Sequence, residues 1–255
     1  MTRALCLLGI LLAATFLTGC KVGVPPDPNS PPPGTAMRGA ELRRNLKGAS
    51  DMLNERVSSG EIDEAKAAEL LQSYAVELTQ TLDLGNVPPA EAWEYAEVYL
   101  TARKWAEAEQ VLKLAVESAK SDDRKVNDTL RLARAQANQG RVEEAIATAR
   151  TVFDAPPRET APILPAVLFE IAPVARGKGQ DIELAKLIED AIKLHERTIV
   201  DPETEAGRMF MYARPSHIRN AWLLIEKLYE DAGRPDQARN ARERQFSGYA
   251  DSRFL

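Results

Sequence analysis

Few side chains in this sequence combine the reactivity and the spacing that chemistry needs. The chain holds two cysteines, Cys6 and Cys20, and two histidines, His195 and His217. His195-Glu196 lacks the second histidine one helical turn away that a helical zinc site requires, so His195 is expected as a solvated residue near a helix end. His217 follows Ser216, a candidate N-cap, and is expected on the surface of a first turn. The carboxylate pairs Glu143-Glu144 and Asp122-Asp123 are able to exchange protons, yet on helical hairpins such pairs usually form a solvated face or first-turn charge. No GxSxG, HExxH or phosphate-cradling glycine loop occurs. No catalytic residue, metal site or cofactor is therefore expected, and no enzyme.

Cys20 is different. It closes the run Leu17-Thr18-Gly19-Cys20, behind one basic residue, Arg3, and an uncharged stretch from Ala4 to Phe16. That stretch is too short to span a bilayer, which takes roughly 20 apolar residues. All four positions of the run match the lipobox, and the segment resembles the signal peptide of bacterial lipoproteins. The resemblance implies a diacylglycerol on the Cys20 sulfur, cleavage before it and acylation of the new amino terminus. Cys6 would leave with residues 1–19, so no intramolecular disulfide is possible in the exported chain. Acyl chains at about 0.8 kcal/mol per buried methylene would anchor the protein stably. Lys21 stands where enteric lipoproteins retained at the inner membrane carry aspartate. The resemblance thus favours the periplasmic face of an outer membrane over the cytoplasmic membrane.

The elements that follow must fold without covalent help. Residues 20–36 continue as KVGVPPDPNSPPPGTA after the cysteine, a proline-rich tether that cannot support a packed core. In polyproline II at about 3.1 Å per residue, it would hold a folded body up to roughly 50 Å from the lipid; a leader without a spacing role is the alternative. The 33 basic and 38 acidic residues give a net charge of −5 and are interspersed. No basic block supports nucleic-acid binding. From residue 37 to 255 the chain is rich in Ala, Leu, Glu, Arg, Lys and Gln with apolar residues at helical spacing, which predicts an all-α body. Breaks fall at Ser58-Ser59-Gly60, Gly85 to Pro89, Gly140, Pro156-Pro157, Gly177-Lys178-Gly179, Asp201-Pro202 and Gly233.

Similar segments recur between the breaks. Ala96, Tyr99, Trp105, Ala108, Leu112 and Ala115 follow a small, aromatic, aromatic, small, large, small order. A second copy carries Leu132, Ala133, Gly140, Val142, Ala145, Val152 and Pro157, and a third Trp222, Ile225, Tyr229, Gly233 and Ala238. Asp181 to Ala185 starts a further second helix after a divergent first helix at about 162–176. The first hairpin shows the pattern only at its turn, Gly60 to Ala65. This order resembles the tetratricopeptide repeat. It implies a right-handed α-solenoid of helical hairpins, a TPR-like superhelix that is partly degenerate, with an irregular α-bundle as the alternative. The pattern departs from the family at Glu226, where a small residue is usual, and in the long interval between Ala185 and Ala238.

In the repeat family the first helix of each hairpin lines a groove. Matching register places Trp93, Glu97 and Leu100 there from one repeat and Leu130, Arg134 and Asn138 from the next. Trp93 offers a rigid aromatic contact, or packs against the preceding hairpin; Arg134 and Asn138 offer hydrogen bonds to a peptide. Residues 198–215 read as a long connector whose Met209, Phe210, Met211 and Tyr212 either plug the solenoid or form a contact surface. A polar helix from Pro235 to about Gln245 suits a cap. The expected function is a lipid-anchored cell-envelope adaptor that takes a protein or peptide partner. The alternative is an envelope enzyme or enzyme subunit acting on peptidoglycan, like transglycosylases that carry helical solenoids, but Glu117-Ser118 lacks the accompanying Gly-Leu-Met-Gln segment.

Overall fold

The structure, a computed structural model, describes residues 37–156 and 161–247, with side chains as far as Gln245. The signal peptide, Cys20, the tether and Pro157 lie outside the described residues. Helices α1 (Gly39–Ser58) and α2 (Glu64–Thr79) come first, and Asp63 caps α2 by accepting from the Lys66 amide at 2.7 Å. Two 3₁₀ turns, Leu84–Asn86 and Pro89–Glu91, occupy the Gly85 to Pro89 break and lead into α3 (Ala92–Thr101). Then follow α4 (Trp105–Glu117), α5 (Asp122–Asn138), capped by Ser121, and α6 (Val142–Arg150). Among the described residues there is no strand.

Four of the interhelical turns share one hydrogen-bond pattern. At Gly60, Gly140 and Gly233 the residue has φ of +76°, +80° and +68°, and the next amide reaches back five residues to a carbonyl, as from Arg141 to Gln136 at 3.1 Å. This left-handed exit caps the orphan carbonyls of the last turn, and glycine takes it without a Cβ clash. The α3–α4 turn uses the same bonds, Lys104 to Tyr99 at 2.9 Å, but puts Arg103 at φ +56°. Its sequence carries no glycine to signal the turn.

Small residues of the repeated order are fully enclosed, where neighbouring helices come close: Ala96, Ala108, Ala133 and Ala145 are each 0% exposed. Two apolar clusters form. One joins α1 through α4 around Leu42, Tyr95, Val98, Tyr99 and Leu112; the other runs from α5 to the last helix around Val167, Leu184, Ile188, Ile225 and Leu228. Helix α5 belongs to both, giving Leu132 and Ala135 to the first and Val126, Leu130, Ala133 and Ala137 to the second. Helices adjacent in sequence pack on one another throughout α1–α6, the arrangement of stacked hairpins.

The second half departs from regularity. Helix α7 (Ile163–Ala166), a π-helical turn at Val167–Ile171 and α8 (Ala172–Ala175) replace a simple first helix. Ala172 donates to the Val167 carbonyl five residues back, and Pro173, which has no amide proton, follows directly. Next come α9 (Asp181–Glu196), α10 (Glu205–Asp231) and α11 (Pro235–Ser247). The expected connector is largely helix. Thr204 caps α10 through the Gly207 amide at 2.9 Å, and the helix continues through Pro215 into the Trp222 segment. Ser216 is therefore not an N-cap; its hydroxyl donates to the Ala213 carbonyl at 2.9 Å. Packing of Phe210, Ala221, Trp222 and Ile225 outweighs the one backbone bond that Pro215 removes. The apolar cluster divides: Phe210 is buried, while Met209, Met211 and Tyr212 are exposed.

Candidate partner-binding face

Helix α3 begins straight after a 3₁₀ turn, so Trp93 lies in its first turn and faces both neighbouring first helices. The Arg43 guanidinium from α1 sits 5.0 Å from the Trp93 ring centre and that of Arg124 from α5 sits 3.7 Å from it. The first helices of three hairpins thus meet on one face, held by cation–π contacts. Trp93 is half-buried. Along α5 the same face continues at helical spacing with Arg124, Arg131, Arg134 and Asn138, all half-buried. Arg134 lies 5.7 Å over the Trp105 ring and pairs with Glu170 of the π turn at 3.1 Å.

The residues expected to line a groove separate on this structure. Trp93, Glu97, Arg134 and Asn138 lie half-buried at the surface, whereas Leu100 and Leu130 belong to the core, at 7% and 5% exposure. The two leucines point inward because α3 and α5 are each covered by helices on both sides, a consequence of stacking that a single-repeat register does not show. Arg134 is already engaged by Glu170, and the Asn138 amide donates to the Arg134 carbonyl at 2.9 Å. Sequence reasoning misses Arg43, Arg124 and Arg131; of these, the two on α5 stand at helical spacing from Arg134, a signal that would have found them.

Charge around α5 is unevenly satisfied. Glu109 on α4 accepts from Gln139 at 2.9 Å, from Lys113 and from Arg141, which ties α4 to the α5–α6 turn. Burial pushes its carboxyl up, but those hydrogen bonds outweigh burial and hold it at about 2. Asp128 of α5 is the opposite case. Its side chain is 0% exposed, and its Oδ1 lies 3.7 Å from Arg124 and 3.9 Å from Arg131, beyond hydrogen-bonding reach. Both carboxylate oxygens and the Arg131 Nη1 are buried without a hydrogen-bond partner. Burial raises the Asp128 carboxyl, and the two arginines lower it without offsetting that rise.

No family model matches the chain, and no curated protein does. The chain is similar to two crystal structures of a Podosopora anserina putative kinesin light chain with nearly identical TPR-like repeats, the second of them a point variant. They are 20% and 21% identical, with TM-scores of 0.45 and 0.44, over 84% of this chain and 99% of theirs.

The histidines sit elsewhere and correct the sequence reading. His195 is not solvated: it is 2% exposed on α9, with its ring centre 4.5 Å from Phe210 and 5.6 Å from His217. His217 lies mid-helix in α10, half-buried, rather than on a first turn. Neither ring nitrogen of His195 has a partner, nor does the His217 Nδ1. No group of three or more His, Cys, Asp or Glu among the described residues is placed to hold a metal. No described helix is long and apolar enough to cross a membrane.

Proposed function

We propose that this chain is a lipid-anchored adaptor of the bacterial cell envelope, tethered through Cys20 and binding a protein or peptide partner on the face of α1, α3 and α5. One observation carries the binding part: arginines of this face lie over half-buried tryptophans, Arg43 and Arg124 over Trp93 of α3, and Arg134 over Trp105 at the start of the adjoining α4. Tryptophan and arginine supply most hot-spot energy at protein interfaces, because a large rigid ring and a planar cation desolvate together. The lipobox and the proline-rich residues 20–36 support the anchored half of the reading. The outer membrane is the favoured location, from Lys21.

The test is partner capture from envelope extracts by crosslinking. Trp93→Ala combined with Arg134→Ala should reduce recovery of the captured partner about thirtyfold or more, with helicity unchanged by circular dichroism. Full capture by the double variant, together with loss on changing exposed Met209, Met211 and Tyr212, would move the partner site to α10.

A further inference from the structure

The unsatisfied atoms around Asp128 specify a ligand chemistry. Two acceptors, Oδ1 and Oδ2 of Asp128, and one donor, Nη1 of Arg131, are buried without a hydrogen bond within one helical turn of α5, with Oδ1 only in ion-pair range of Arg124 and Arg131. Buried polar groups in folded proteins are almost always hydrogen-bonded, so Oδ1 and Nη1 call for a partner that presents one donor and one acceptor side by side. A primary carboxamide has that inventory: an N–H and a carbonyl oxygen lie side by side along one edge. The 3.9 Å between Asp128 Oδ1 and the Arg131 Nη1 leaves one edge of a planar amide able to donate to the first and accept from the second. Charged ligands fit worse. A carboxylate meets the Asp128 charge, and an ammonium or guanidinium meets Arg124 and Arg131 at 3.7 and 3.9 Å from the same oxygen.

We propose that Arg124, Asp128 and Arg131 form a subsite for the side-chain amide of an asparagine or glutamine in the bound segment of the partner. This deepens the adaptor reading and rests on it. The approach is from the partner-binding face, where the Arg124 and Arg131 side chains are 31% and 33% exposed and cover the carboxylate. Entry takes a rotation of the Arg131 side chain alone, without backbone change, after which its Nη1 returns to meet the ligand's carbonyl oxygen; Arg124 stays stacked on Trp93 and sets one wall of the subsite.

The experiment uses the full chain in detergent and four labelled peptides identical except at one central residue: glutamine, glutamate, lysine or N,N-dimethylglutamine. Backbone amides are common to all four, and the dimethyl residue keeps the carbonyl while losing both donors. Fluorescence anisotropy should show the glutamine peptide binding about tenfold or more tighter than the other three, the cost of leaving a buried group unpaired. Asp128→Asn removes the negative charge and leaves two arginines, so it should reverse the order and favour glutamate. A purely structural role for Asp128 would not reverse a preference. Arg131→Gln should abolish discrimination, and circular dichroism checks that both variants fold. Equal binding of the four peptides, binding by none, or an order unchanged in Asp128→Asn overturns the subsite. If capture still depends on Trp93 and Arg134 in that case, the adaptor reading stands without it; if capture is independent of them, the adaptor face itself falls.

Discussion

A buried histidine with no hydrogen-bond partner makes stability depend on proton concentration. Burial, with His217 and Arg214 nearby, pushes His195 down from 6.5 to about 4. The folded chain therefore binds this proton less readily than the unfolded chain. Its contribution is fully present above about pH 6.5 and is lost as pH falls from there towards 4, on the order of 3 kcal/mol in all. His195→Leu should flatten this window: its melting temperature relative to the parent should rise progressively between pH 6.5 and 4, and change little above pH 6.5. Carboxylates common to both chains cancel in that difference; Glu109, held at about 2, titrates lower still. Parallel melting curves across the window would show that the cluster of His195, His217, Phe210 and Arg214 admits water or an anion.

At the scale of elements, the turns decide where hairpins close. Three of them place glycine in the left-handed conformation, and the α3–α4 turn places Arg103 there with the same backbone bonds. A side chain in that region costs about 1 kcal/mol against the following carbonyl. Arg103→Gly should therefore raise the melting temperature, since Arg103 is exposed and the turn is held by backbone bonds. A lower melting temperature would mean that the entropy glycine adds to the unfolded chain outweighs the relief. Helix α10 shows the converse, where tertiary packing overrides local punctuation. Pro215 and Ser216 spell a helix start, yet the buried stripe on either side of them keeps one helix from Glu205 to Asp231.

At the scale of the whole molecule, the proposed adaptor divides its work between an anchor and a binding face. The anchor rests on a single thiol, so Cys20→Ala should abolish incorporation of labelled palmitate while leaving the melting of the helical body unchanged. Label retained in that variant would remove the lipoprotein reading and leave the binding face as it is. Conversely, the Trp93 and Arg134 double variant should keep its label and lose its partner. In this proposal the separation is physical: the lipid would act by transfer of methylenes out of water, and the face by desolvating aromatic rings and arginines.

Composition and spacing alone determined the all-α class, the hairpin turns at Gly60, Gly140 and Gly233, and the enclosed alanines at 96, 108, 133 and 145. Each of these depends on local geometry: a 3.6-residue period, a missing Cβ, or a methyl small enough for close helix contact. What lies on the candidate face is only partly legible. Register places Trp93 and Arg134 there, and helical spacing from Arg134 reaches Arg124 and Arg131, but Leu100 and Leu130 are core, and Arg43 joins only where three first helices meet. The same holds for His195, expected as a solvated residue near a helix end, and for Asp128, which no motif marks. Their burial, and the absence of partners for their polar atoms, come from helices distant along the chain that cover them, and desolvation by such neighbours is a property that no local window of sequence contains.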